Sequence, residues 1–258
     1  MTAGCVLRDA RTNRMCGRFT LRSLLAALVE QFDLELHGEH QLPLYELRYN
    51  IAPTQDVLVI RQDTAGGGRR VDAMRWGLLP SWGDGPKTVG PPIINARAET
   101  LAEKPMFRTA VRWQRCLIPA DGFFEWQQSA SSSRGKKPAY FVHRPDDRPF
   151  AFAGLWERWT QRKGSGDDTG PALTIDSCVI VTTQANATLR ELHERMPVVL
   201  APNDYALWLD AKVDDPAAVK HLLEPAGEDE LVVEPVGTYV NKVANDDPRC
   251  VAVDRTLF

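Results

Sequence analysis

The chain is organised by short apolar stretches bounded by Gly, Pro, Asn, Asp or Ser, many alternating apolar and polar positions. That period of two predicts strands at Val57–Arg61, Arg75–Leu79, Pro92–Asn95, Cys116–Pro119, Gly122–Trp126, Ala139–His143, Phe150–Trp156, Ile175–Thr183, Leu231–Glu234 and Cys250–Val253. Helical spacing is rarer. Leu21, Leu24, Leu25, Leu28, Val29 and Phe32 follow the i, i+3, i+4, i+7 rule behind Thr20 as N-cap. Further helices are predicted from Asn186, from Asn203 or Asp204, and from Pro216 behind the cap Asp215. Asp63–Val71, Gln127–Pro138 and Gln161–Pro171 are rich in Gly, Ser and charge, and read as long hairpin connections. Strands dominate without regular alternation with helices, which argues against a Rossmann-type sheet. The expected fold is α+β: a single domain whose antiparallel or mixed sheets curl into a barrel or sandwich, with helices outside.

Composition narrows the class. The 258 residues are 43% hydrophobic and 25% charged, enough to bury a full core. No apolar run approaches the roughly 20 residues of a membrane span. Residues 1–14, MTAGCVLRDARTNR, lack the apolar centre of a secretory signal. The five cysteines, Cys5, Cys16, Cys116, Cys178 and Cys250, are widely spaced without a CxxC pair, unlike a disulfide framework or zinc site. A soluble, cytoplasmic protein with no metal or cofactor is expected. The net charge of -3 hides an asymmetry. Residues 61–115 hold ten Lys/Arg against five acidic residues, and residues 191–258 hold six against fourteen. This reads either as solvated faces or as a local basic surface for an anionic ligand.

Several segments combine reactive side chains with turn residues. Glu125 lies among the aromatics of GFFEW on the strand face of Phe123. It is either an acid or base with a raised pKa or an edge residue facing water. His193, near a helix end stopped by Pro197, is either a proton shuttle or a structural histidine. Asn95, at a strand end, can hold a substrate oxygen or close an Asx turn. Arg18, Arg97 and Arg195 each lie two residues from Cys16, Asn95 and His193, a spacing that suits phosphate clamping as well as ordinary ion pairs. Trp76 and Trp82 flank a Gly/Pro-rich turn and read as core or as base-stacking platforms.

Cys16 follows Met15. If translation starts at that methionine and it is trimmed, Cys16 becomes N-terminal and carries an amine and a thiol on one frame. The amine, with a reference pKa of about 7.8, is roughly 14% unprotonated at pH 7, against roughly 0.04% for lysine. It can form a Schiff base with an aldehyde, which the thiol closes into a five-membered thiazolidine. If Met1 is the start, Cys16 is a buried internal cysteine.

The chain resembles the SOS-response-associated peptidase (SRAP) family of abasic-site processing proteins. The matching stretches are MCGRF at 15–19, YNIAP at 49–53, RWGLLPSW at 75–82, NARAET at 95–100, CLIPADGFFEW at 116–126, FAGLWE at 152–157, TTQAN at 182–186 and HERMPVVL at 193–200. They run in family order and span Met15 to about Asp254. The resemblance implies one β-rich domain over residues 15–258, acting as a monomer. Its groove would take single-stranded DNA, or an end or junction, around an abasic site. It also implies that Cys16 links covalently to the sugar aldehyde and that Asn95, Glu125 and His193 complete the active site. Arg18, Arg97 and Arg195 would meet phosphates, while Asn50, Pro53, Trp82 and Trp126 would shape the groove or stack on bases.

One departure stands out. The extension 1–14 has no counterpart in the family and locks the Cys16 amine in a peptide bond. It reads as an overcalled start or, since the family name implies self-processing, as a removable propeptide. Two other functions fit the same residues. A cysteine or N-terminal-nucleophile hydrolase would use Cys16, His193 and Glu125 or Asn95. A noncatalytic binder of single-stranded nucleic acid would use the arginines and tryptophans.

Overall fold

The computed structural model describes residues 16–34, 45–63, 68–87, 90–127, 138–161 and 171–255. The extension 1–14, Cys5, Met15, His37, His40 and the central parts of the three predicted hairpin connections lie outside the described residues.

Among the described residues thirteen strands run in chain order: β1 (Phe19–Leu21), β2 (Arg48–Ile51), β3 (Asp56–Gln62), β4 (Arg69–Trp76), β5 (Asn95–Arg97), β6 (Arg115–Ala120), β7 (Gly122–Trp126), β8 (Ala139–His143), β9 (Phe150–Thr160), β10 (Thr174–Gln184), β11 (Arg195–Pro197), β12 (Val199–Leu200) and β13 (Val232–Val236). One sheet has the order β13-β8-β7-β1-β2. The other follows the path β10-β4-β3-β6-β9, and a further pairing of β9 with β10 closes those five strands into a barrel. Every seam of the barrel is antiparallel except β4–β10, which is parallel and pairs Ser177 with Arg75.

The strands read from alternation are largely present, with three corrections. The segment expected at Arg75–Leu79 is the end of a longer strand that begins at Arg69 and stops at Trp76. It stops because Gly77 takes φ 131, where an L side chain is strained, and turns its N–H to the Cys178 carbonyl at 2.9 Å. The strand expected at Pro92–Asn95 is instead Asn95–Arg97, since Pro91 and Pro92 cannot donate to a ladder; Ile93 makes only an isolated bridge to Leu78. Cys250–Val253 is largely a 3-10 turn, Pro248–Val251, capped by Asp247.

The first helix, α1 (Leu25–Phe32), starts later than its periodicity implies. Thr20 and Leu21 belong to β1, so the cap position falls to Leu24. Helix α2 spans Ala110–Trp113. Two of the cap signals near the C-terminal half, Asn186 and Asp215, are realised, while Asp204 makes no side-chain cap bond. Asn186 caps α3 (Ala187–Arg190) by accepting from the Leu189 N–H at 3.0 Å, and Asp204 precedes α4 (Tyr205–Leu209). Asp215 accepts from the Ala217 N–H to cap a 3-10 stretch, Pro216–Leu223.

The main core fills the barrel and the space between it and the five-stranded sheet. Phe19 of β1 meets Trp76 of β4 at 5.1 Å and Phe152 of β9 at 5.8 Å, and Phe123 of β7 meets Phe152 at 6.0 Å, all edge-on. The opposite face of that sheet carries Phe124, Phe141, Val236, Val240 and Cys250 in a smaller core, with Trp126 against it. This alternation along β7 turns Glu125 towards the barrel with Phe123.

Candidate active site

The backbone of β1 and β7 makes the first contact of the site. Phe19 pairs with Phe123 and Thr20 with Gly122, and the Phe124 N–H donates to the Arg18 carbonyl at 3.0 Å. Continuing that antiparallel register brings residues 16 and 17 beside Glu125. The Cys16 N–H donates to Glu125 Oε2 at 3.1 Å, in a site where Cys16 is fully buried and Glu125 is only 5% exposed. Cys16 holds φ 44, a left-handed conformation that non-glycine residues seldom adopt. In this chain the Cys16 nitrogen is a peptide N–H; with Cys16 N-terminal, the same nitrogen would be the α-amine. Burial, and after it the Glu125 carboxylate, push the Cys16 thiol well above its ordinary range, so the sulfur is held as a thiol.

Asn95 and His193 arrive at the same end of the barrel on either side of β10. Strand β5 runs parallel to it, pairing Asn95 with Ile180 and Arg97 with Thr182, while β11 runs antiparallel along the other edge, pairing Arg195 with Gln184. Phe19, three residues beyond Cys16, packs on Trp76 and Phe152, which the barrel register sets at this end. His193 is buried in the turn between α3 and β11, and its Nδ1 accepts from the Arg195 N–H at 3.1 Å. That contact fixes the ring's orientation and places the proton of the neutral imidazole on Nε2. The edge reading of Glu125 is therefore set aside: its carboxylate is buried.

The arginines divide into two kinds. Arg97 is exposed. Arg195 is a strut: it grips Glu99 with both terminal nitrogens, holds that carboxylate below its usual range, and donates to the Thr182 carbonyl at 2.6 Å. It thereby ties together β10, β11 and the turn after β5. Arg18 is half-buried. One of its terminal nitrogens donates to Asn50 Oδ1 at 3.0 Å and to the Val240 carbonyl at 2.9 Å, and its guanidinium lies 5.6 Å from the centre of the Trp126 ring. Burial lowers the Arg18 pKa.

Asn50 has no exposed surface. Its amide donates to the carbonyls of Val240, Lys242 and Asn245 at 3.1, 3.0 and 2.7 Å, so it ties β2 to the 240–245 turn and has no surface to offer a ligand. Trp126 is half-buried and anchored through Nε1 to Asn241 Oδ1 at 2.8 Å. Pro53, two residues after the end of β2, is half-buried, and Trp82 is 58% exposed. Glu99 and Asn241, which hold Arg195 and Trp126, were not singled out as individual residues by the sequence, and Asn186 was read only as a helix start. Among the described residues, no group of three or more His, Cys, Asp or Glu side chains is arranged to hold a metal ion.

This fold, a closed barrel beside a five-stranded sheet that sets a buried cysteine against a buried carboxylate, coincides with a known class. The family described as SOS response associated peptidase (SRAP) matches residues 15–243. The chain belongs to that family. It is 38% identical over 240 residues to the abasic site processing protein YoqW of Bacillus subtilis, covering 92% of this chain and 99% of that protein. It is 32% identical over 275 residues to the abasic site processing protein HMCES of Gallus gallus, covering 92% of this chain and 77% of that one. A crystal structure of a protein from Bacteroides thetaiotaomicron superposes with a TM-score of 0.76 at 23% identity, over 93% of this chain and all of the other, and so shares the fold.

Proposed function

We propose that this protein recognises abasic sites in single-stranded DNA, including strand ends and junctions, and traps them covalently through Cys16. The observation that carries the reading is the Cys16 nitrogen held 3.1 Å from a buried carboxylate, with the thiol of the same residue beside it. That the relatives are abasic site processing proteins supports the substrate. Residues 1–14 are read as absent from the mature protein and 15–258 as the working domain, whose Met15 is removed to free the amine.

Glu125 takes a proton from the Cys16 ammonium, and the free amine attacks C1′ of the ring-opened sugar. The carbinolamine loses one water to give an imine. The thiol then adds its sulfur to C1′ and its proton to nitrogen, closing a ring of N, Cα, Cβ, S and C1′. No redox change occurs and no cofactor is consumed. Asn95 orients the sugar oxygen, and His193 moves a proton during imine formation and reversal. Arg97 and the free edge of Arg18 meet phosphates; Arg195, shared with Glu99, contributes less charge. Trp82, Trp126 and Pro53 form the stacking surface, and Asn50 holds it in place. The protein acts as an intracellular monomer.

The test is a denaturing gel of protein expressed from Met15 with single-stranded DNA carrying one abasic site. The expected result is a shifted band that needs both the lesion and Cys16, lost in Cys16→Ala. Absence of the band from the Met15 protein refutes the covalent reading. Equal activity in Cys16→Ala would make the protein a noncatalytic binder.

A further inference from the structure

The matched family segment ends at residue 243, yet the chain just beyond it is tied into the wall of the site. Strand β2 is the outer edge of the five-stranded sheet, and its pairing with β1 carries an irregularity: Phe19 faces Ile51, whereas Leu21 faces Arg48. Thr20 of β1 thus lies opposite two residues of β2, Tyr49 and Asn50, a bulge that turns their N–H groups the same way. The N–H groups of Tyr49 and Asn50 both donate to Asp246 Oδ1, the second at 2.9 Å, and Arg48 Nε donates to Oδ2. A single half-buried carboxylate therefore satisfies two adjacent N–H groups of the edge strand.

The turn that this carboxylate anchors does two further things. Its carbonyls at Val240, Lys242 and Asn245 receive the Asn50 amide, and Val240 also receives Arg18. Its Asn241 side chain receives the Trp126 indole. Asn245 closes the turn on itself by donating to the Tyr239 carbonyl at 2.7 Å, and Tyr239 donates to Asp247 at 2.8 Å. Arg18 and Trp126 flank Cys16 and Glu125 in sequence, and both are oriented by this turn.

We infer that Asp246 is a positioning residue: by clasping the 238–247 turn to β2 it orients Arg18 and Trp126, so that the C-terminal turn sets the affinity of the groove for single-stranded DNA. Cys16 and Glu125 meet through β1 and β7, without the turn, so the chemical step does not depend on the clasp. The inference rests on the proposed function for its ligand.

The experiment uses the protein in its active form and compares wild type with Asp246→Asn, Asp246→Glu and Asn241→Ala. Affinity is read with a fluorescein-labelled single-stranded oligonucleotide that has no abasic site. The cross-linking rate is read at saturating abasic DNA, and thermal unfolding is followed alongside. Asp246→Asn puts an amide N–H against Arg48 and is expected to weaken affinity by about tenfold. The saturated rate should stay within about twofold, and Asp246→Glu should recover part of the loss. Asn241→Ala, which frees only Trp126, should weaken affinity less and serves if Asp246→Asn does not fold. Unchanged affinity in a folded Asp246→Asn overturns the inference, as does a loss of affinity, saturated rate and melting temperature together. If wild type binds the oligonucleotide but never links to abasic DNA, the covalent reading fails and the affinity comparison still decides the role of Asp246.

Discussion

Replacing Glu125 with glutamine keeps the shape of the side chain and removes its charge, which isolates what the carboxylate does. It sits 5% exposed on the barrel-facing side of β7 and accepts from the Cys16 nitrogen at 3.1 Å. A hydrogen bond to a charged group contributes about 1.5–3 kcal/mol, so losing the charged partner alone predicts a slowing of about 10- to 150-fold. General-base assistance adds to this, within the usual range of about 10²–10⁴. The backbone ladder of β7 with β1 and β8 does not involve the carboxylate, and a neutral amide is cheaper to bury, so the melting temperature should hold or rise. The assay is single-turnover formation of the denaturation-resistant complex with protein in excess, beside a separate measurement of affinity for intact DNA. The expected result is a rate at least tenfold slower with affinity little changed. A rate within twofold of wild type, in a folded variant, would refute the assignment of Glu125 as the group that frees the amine.

Other outcomes follow from single features. Trp82, 58% exposed, should be replaceable by alanine without loss of thermal stability, while affinity for single-stranded DNA falls by about 1–3 kcal/mol, readable by anisotropy. A methyl at Gly154 would stand 2.9 Å from both Cys116 Sγ and Ile118 Cδ1 inside the barrel, so Gly154→Ala should cost about 1–3 kcal/mol in denaturant unfolding. Tyr205, buried against Phe32, has its phenol pushed up to about 12 by burial. Between the ordinary phenol pKa of about 10 and that value, the unfolded chain releases a proton that the folded chain keeps. Stability should therefore be full below pH ~10 and fall as pH rises, and Tyr205→Phe should flatten that fall in urea titrations across the window.

Much of the architecture was legible because it is local. Alternation located β7 and β8 at their observed bounds, and Asn186 and Asp215 announced the elements they cap. Long-range choices were not. The parallel seam of β4 with β10 joins residues a hundred positions apart and leaves no mark on either strand's pattern. Leu21 fits the helical period of α1 equally well as the buried end of β1, and only the pairing with Arg48 decides. In the site, Cys16, Asn95, Glu125 and His193 were singled out by their chemistry and by family resemblance. Asp246 was not, because the run Asn245-Asp246-Asp247-Pro248 reads as turn punctuation, and its bonds to Tyr49 and Asn50 span nearly two hundred residues. Asn50 looked like a groove residue and is buried scaffolding, since no sequence pattern separates a polar side chain facing a ligand from one satisfied by distant carbonyls.

The central claim is that one residue supplies both the nitrogen and the sulfur. The most direct measurement is the mass and fragmentation of the peptide that stays attached to DNA after the cross-linked protein is digested with protease and the DNA trimmed with nuclease. The account predicts a peptide that begins at Cys16 and carries the sugar remnant with loss of one water, its fragments assigning the addition to that residue's nitrogen and sulfur. A sugar remnant on a lysine, or on a peptide in which Cys16 is still preceded by Met15, would contradict it.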